Sequence, residues 1–356
     1  MDTTDTISQL KPERIAFITE DLSFPIDEGA KKFNYFLLQY LFARGEIFKL
    51  FTGKIYDPGI DHELIPNKLF VSVRMFRSVW KFKPDIIIYS PFSSGTLLSF
   101  LRLFIIKCYY PGSKTVLINL QRRNHLLLSR KILKYIRPER IVVFSDKDSS
   151  YFENMGLGTV LCRSGTDTDQ FKPAGKDSRL QLREKYGFGG NERIALHVGH
   201  IRLTRNLGIL KALADDGYTV IIIGSTSTQA DKSFCDELTR HGIIVRKEYI
   251  ARIEEMYQLS DLYVFPVLND HAAIEFPLSV LEAMSCNLPV ITTPYGSLPE
   301  YFSETSSGFA YFNDQNELIL KSREVLNVKC NNRDLILQHF SWNNVMEELS
   351  EKLTEI

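Results

Sequence analysis

The chain has 356 residues, 44% of them apolar and 24% charged, with 43 Lys+Arg balancing 43 Asp+Glu. That length suits about two domains, and the composition excludes a disordered, collagen-like or disulfide-scaffold protein. Zero net charge by itself argues against a nucleic-acid or membrane partner. The charge is unevenly spread, however: residues 1–170 hold 24 basic and 18 acidic side chains, and residues 68–140 hold 15 basic ones against only Asp85 and Glu139.

The polar start, MDTTDTISQLKPER, reads as neither a signal nor a transit peptide. No stretch reaches the roughly 18 uncharged apolar residues of a bilayer span; the nearest, 97–110, is interrupted by Arg102 and Lys107. Cys108, Cys162, Cys235, Cys286 and Cys330 are scattered and form no C-x-x-C pair, so reduced thiols and no metal site are expected. The expected location is cytoplasmic.

In chain order, short β-branched runs predict strands at 15–19, 47–51, 86–89, 116–119 and 141–144. A turn at Gly29 and an amphipathic helix at 33–43 follow the first. Continuous apolar strands alternating with helices predict a parallel sheet covered on both faces. The segment 163–175, RSGTDTDQFKPAG, is rich in Gly, Pro, Asp and Thr and reads as a linker. Strands then recur at 194–198, 220–223, 243–245, 262–265 and 290–292. The expected fold class is α/β, with two Rossmann-like doubly wound domains facing across a cleft. Ligands are expected at the carboxyl ends of both sets of strands. The predicted domains are 1–165, completed by a C-terminal helix at 341–356, and 166–340.

The most informative segment is 261–301, DLYVFPVLNDHAAIEFPLSVLEAMSCNLPVITTPYGSLPEY. A strand leads through Pro266 and a loop into a helix headed by Leu278 and Ser279, whose amides face phosphate oxygens. Glu282 is expected in the first turn, where a carboxylate can accept two hydrogen bonds from a vicinal diol such as a ribose. Upstream, IALHVGHIRLTRNL ends a strand at Gly199 and continues into a basic loop with His200, Arg202 and Arg205. Cations at that point suit a departing phosphate. No G-x-G-x-x-G or P-loop pattern appears, which speaks against dinucleotide and P-loop chemistry.

The 261–301 segment resembles the donor-binding signature of family 4 glycosyltransferases with the GT-B fold. The linker SGTDTDQFKP is similar to that family's crossing segment, and Phe340–Trp342 resembles the start of its returning helix. The resemblance implies retaining transfer from a nucleotide-activated sugar, with no metal and no cofactor. It places Glu282 on the ribose, Arg205 at the Lys position of the pyrophosphate motif and His200 at the Arg position, with Arg202 as the nearest substitute. Gly29 falls in a loop beside the donor phosphates. The first family Glu is replaced: Ile274 occupies its place, and Glu275 stands at the following Gly, so the spacing is Glu-x6-Glu. Glu275 is the candidate catalytic carboxylate, with Arg205 as catalytic cation; the alternative for Glu275 is a solvated loop charge. His125 is displaced from the family's first-domain His.

The basic apolar stretches 97–110 and 122–138 fit either a core-facing stripe with a solvated basic face or a surface resting on anionic lipid. The expected partners are a nucleotide-sugar donor, a glycan or lipid-linked acceptor and an anionic membrane surface, with no nucleic acid. A catalytically inactive glycosyltransferase-like subunit and a nucleotide-sugar epimerase are the competing readings.

Overall fold

The computed structural model describes residues 14–354 except 45, 58, 66–70, 93, 122, 227–229, 270, 271 and 305–307. In the first domain the elements run β1 (Arg14–Thr19), α1 (Gly29–Ala43), β2 (Ile47–Thr52), β3 (His62–Leu64), α2 (Val73–Phe82), β4 (Ile86–Ser90) and α3 (Leu97–Tyr109). They continue with β5 (Lys114–Ile118), α4 (Leu127–Leu133), β6 (Arg140–Val143), α5 (Asp146–Glu153) and β7 (Thr159–Leu161). The sheet is parallel throughout, in the order β3-β2-β1-β4-β5-β6-β7. Parallel strands need crossovers and so are buried on both faces. That is why β4 reads IIIYS, with every residue buried.

The second domain carries α6 (Lys176–Tyr186), β8 (Ile194–Val198), α7 (Lys211–Asp215), β9 (Thr219–Ile223), α8 (Lys232–Arg240), β10 (Ile244–Arg246), α9 (Ile253–Leu259) and β11 (Leu262–Phe265). Then come α10 (Leu278–Ser285), β12 (Val290–Thr292), α11 (Leu298–Tyr301), β13 (Phe309–Tyr311), α12 (Gln315–Leu326), α13 (Asn332–His339) and α14 (Trp342–Thr354). The second sheet repeats the topology as β10-β9-β8-β11-β12-β13.

On one face of the first sheet, α2 through α5 bury Met75, Val79, Phe100, Leu103, Leu133 and Phe152. The other face takes α1 and α14. Trp342 stacks on Phe36 at 4.9 Å and meets Phe33 edge-on at 5.9 Å, so the C-terminal helix packs on the first domain. The chain crosses between domains twice, and the crossings bond to each other through Thr166 N–H to Phe340 O, 2.8 Å, and Trp342 N–H to Thr166 O, 3.2 Å. A Cβ on Gly165 would lie 2.7 Å from the Trp342 ring, so this close approach requires glycine. The apolar core between α1, α14 and the α9–α10 face of the second sheet is continuous, so one hydrophobic cluster spans both domains.

Candidate active site

The carboxyl ends of the two sheets face each other and enclose a cavity of about 360 Å³. From the first domain, its wall takes Asp27, Glu28, Gly29 and Lys32 after β1, Phe92 after β4, and Gln121 and Arg123 after β5. From the second it takes Gly199, His200, Arg202 and Arg205 after β8, and Ile274, Leu278, Ser279 and Glu282 around the start of α10. Loops at the carboxyl ends of parallel strands are the usual ligand position in this architecture.

Glu282 is buried at 3% exposure. Its Oε2 accepts from the Tyr257 hydroxyl at 2.8 Å, and its Oε1 takes the Lys32 ammonium from the first domain. Burial beside this carboxylate drives the Tyr257 phenol well above its ordinary pKa and keeps it a donor. α10 begins at Leu278, so Glu282 is its fifth residue and lies in the second turn, not the first as the sequence suggested. That one-turn difference removes the helix dipole as the reason for the charge, because the dipole acts within the first turn.

Arg205 is 6% exposed, and its Nε has no hydrogen-bond partner among the described residues. Burial pushes its pKa down to about 10, so it stays cationic at neutral pH. A buried guanidinium with unspent donors calls for an anion. Gly199 lets it in: a Cβ there would sit 2.5 Å from Arg205 Nη1. His200 lies 4.0 Å from the Glu28 carboxylate. Burial first, then the charges of Arg205 and Arg202, push its pKa down to about 4. The imidazole is therefore neutral at pH 7, and the contact is not an ion pair. Arg202 is exposed at the mouth.

Gly29 opens α1 and faces the second domain; a Cβ there would be 2.6 Å from Ile274 Cδ1. Ile274 lines the cavity and Glu275 does not. Glu275 is 7% exposed, so it is not a solvated loop charge. Its N–H donates across the cleft to Leu120 O at 2.8 Å, and its carbonyl accepts from Ser297 N–H at 3.1 Å. At Gly296, with φ +54°, any side chain would overlap that same carbonyl. The loop is thus fixed with Ile274 turned toward the cavity. His125 lies outside the cavity wall; its ring contacts Gly95 O at 2.8 Å and Tyr151 Oη at 3.0 Å, and burial lowers its pKa.

Lys32, Gln121 and Arg123 were not singled out in the sequence. Gln121 donates to Ala273 O across the cleft. Lys32 did leave a signal: Lys31 and Lys32 sit in the first turn of α1, where the dipole disfavours cations. Such a placement marks a partner elsewhere in the fold.

Residues 178–336 match the family described as Glycosyl transferases group 1. Solved structures share the fold across nearly the whole chain. A glycosyltransferase from Rickettsia africae superposes with TM-score 0.77 at 14% identity, over 97% of this chain and 98% of that one. The Anabaena protein HepE in complex with UDP-glucose gives 0.75 at 16% identity, over 97% and 100%. The chain has the GT-B fold, and its second domain carries a glycosyltransferase group 1 segment.

Among curated relatives, this chain is 23% identical to a sulfoquinovosyl transferase of Arabidopsis thaliana over 363 residues, which is 90% of this chain and 68% of that protein. It is 25% identical to the N-acetyl-alpha-D-glucosaminyl L-malate synthase of Bacillus anthracis over 144 residues. That second match spans only 36% of the relative and 38% of this chain.

Proposed function

We propose that the protein is a retaining, family 4-type transferase. It moves a sugar from a nucleoside diphosphate sugar to a glycan or lipid-linked acceptor, in cell-surface polysaccharide or glycolipid synthesis. The observation that carries this reading is the meeting of buried Glu282 and buried, unspent Arg205 in one cavity. The UDP-glucose bound by the Anabaena neighbour supports a nucleotide-sugar donor.

In this proposal Glu282 accepts from the ribose hydroxyls, each charge-assisted bond contributing about 1.5–3 kcal/mol. Arg205, aided by Arg202, by neutral His200 as a hydrogen-bond donor, by the Gly199 loop backbone and by the amides of Leu278 and Ser279, takes the diphosphate. Gly29 lets the first domain approach the donor. A ribose on Oε1 displaces the Lys32 ammonium, which stays in the cavity beside the phosphates. During transfer the bond from the anomeric carbon to the diphosphate oxygen breaks. The acceptor oxygen joins that carbon on the same face, and its proton passes to the departing phosphate. Arg205 stabilises the charge that develops there. No metal or cofactor takes part. Glu275 acts by holding the loop that sets the cavity wall.

Ile274 at the wall, where the resemblance calls for a carboxylate, favours a second reading: a glycan-binding subunit without turnover. Purified protein separates the two. The transferase reading expects UDP or another nucleoside diphosphate to raise thermal stability, by about 2.7 kcal/mol at 100 times Kd, and expects donor turnover. Stabilisation without turnover selects the subunit, and stabilisation by no nucleoside diphosphate refutes both.

A further inference from the structure

The first domain carries an apolar surface that the donor site does not use. Leu126, Leu127 and Leu128 are 80%, 78% and 71% exposed, and Tyr135 is 82% exposed. They occupy the start of α4 and the turn after it. The neighbouring α3, in contact with α4, adds a helical stripe of exposed Leu98, Leu101 and Ile105. Soluble surfaces rarely carry three consecutive bare leucines, and a contiguous patch of this kind marks an interaction site.

Two observations identify the occupant. The first is charge. Exposed Lys131, Lys134 and Arg137 lie in and after α4, and the two lysines have no carboxylate partner among the described residues. The acidic side chains between residues 68 and 140 are Asp85, which accepts from Arg14 N–H, and Glu139, which is bound to Lys107 and Thr115. Exposed apolar side chains ringed by uncompensated cations match the boundary of an anionic bilayer, where headgroups take the cations and acyl chains take the leucines.

The second observation is position. Gln121 and Arg123 belong to the cavity wall, and Leu126 follows three residues later, at most about 10 Å along the chain. Between them His125 is buried and held on both ring nitrogens and its backbone N–H, by Gly95 O and the Tyr151 hydroxyl. The leucines therefore project from an anchored support.

We propose that Leu126–Leu127–Leu128, with the α3 stripe and the α4 cations, form a docking surface for an anionic lipid bilayer, setting the cavity mouth at headgroup level. The transferase reading enters only in the consequence that the acceptor is lipid-anchored; docking itself is independent of it.

Co-sedimentation of the full chain with vesicles tests this. Wild type is expected to bind phosphatidylglycerol–phosphatidylcholine vesicles at low salt, to release with salt, and to ignore pure phosphatidylcholine. The triple change Leu126→Ser, Leu127→Ser, Leu128→Ser is expected to weaken binding at least tenfold or so. Lys131→Gln and Lys134→Gln each weaken it roughly fivefold at low salt. These side chains are exposed, so thermal midpoint and UDP affinity are expected to stay at wild-type values. UDP affinity also reports on the donor site separately, so failure of docking and failure of the transferase reading are distinguishable. The proposal is overturned if wild type does not bind anionic vesicles, if the triple variant binds as wild type does, or if the leucines instead support a concentration-dependent dimer that ignores vesicles.

Discussion

The second sheet repeats the order of six strands of the first, which adds β7 at its edge, and helices cover both, yet the domains present different surfaces. On the second domain several cations are paired with carboxylates. Arg179 and Arg183 share Asp261 at 2.5 and 2.7 Å, Lys185 meets Glu255 at 2.5 Å, and Lys211 and Arg323 reach Glu237 and Asp216. Arg205 stands apart from these: it is buried in the cavity, and its Nε has no hydrogen-bond partner among the described residues. On the first domain Lys49, Arg102 and Lys107 are paired as well, but Lys131 and Lys134 stand exposed beside bare leucines. Surface ion pairs contribute little stability, typically below about 1 kcal/mol, so the contrast is about partners. The second domain buries a guanidinium in the cavity, and the first exposes cations beside apolar side chains.

The largest expected effect tests the hidden site. Arg205→Met is expected to lower turnover by about 10²–10³-fold and to abolish most UDP stabilisation. Near-wild-type turnover would remove Arg205 from the phosphate site. Next, Glu282→Ala should weaken nucleoside diphosphate binding by roughly 10- to 100-fold, while inorganic pyrophosphate binding changes little. Equal loss for both ligands in calorimetry would mean that Glu282 is not the ribose ligand.

The group that joins the domains comes third. Lys32→Met removes the first-domain cation from the cavity and is expected to weaken UDP binding about tenfold, with a shallower salt dependence than wild type. Unchanged binding would confine Lys32 to bridging the domains. A smaller effect is expected at Glu275. Its backbone anchors the loop and Ile274 faces the cavity, so Glu275→Gln should cost less than about tenfold in kcat/KM. A loss of several hundredfold, within the range of a lost transition-state contact, would instead put the carboxylate on the donor sugar.

The smallest effect is on stability against pH. Burial pushes His197 down to about 3 and His200 to about 4, both below the free imidazole value. Between about pH 6.5 and pH 4 the unfolded chain therefore binds more protons than the folded one, and stability rises with pH across that window. His200→Asn should flatten the slope of the thermal midpoint there. An unchanged slope would leave the effect to the other buried imidazoles, His125 and His197, the latter with its Nδ1 held 2.9 Å from Val264 O in the second domain's core.

The central strands were legible because burial on both faces demands unbroken apolar runs. The expected bounds 194–198, 262–265 and 290–292 coincide with β8, β11 and β12. Three of the four edge strands were not: β3, β7 and β13 are three residues each, only partly buried, and carry no such run, whereas the edge strand β10 was expected at 243–245. The cavity's second-domain wall was also readable, since Gly199 to Arg205 and Leu278 to Glu282 are local in the chain. Of the first-domain wall only Gly29 was; Lys32 was not, because it reaches Glu282 across 250 positions.

Local pattern thus determined that this chain folds as two doubly wound domains, that the cavity residues of the second follow β8 and β11, and that one domain is basic. Tertiary structure decided which side of a loop faces the cavity, turning Ile274 inward where Glu275 was the candidate. It also decided which half of an apolar, basic stretch was core. Phe100, Leu103 and Leu133 went inside, while Leu126, Leu127 and Leu128 stayed out. Composition cannot separate those two fates. Burial is set by where an anchored backbone points a side chain, and here His125, itself buried by contacts from other segments, does the anchoring.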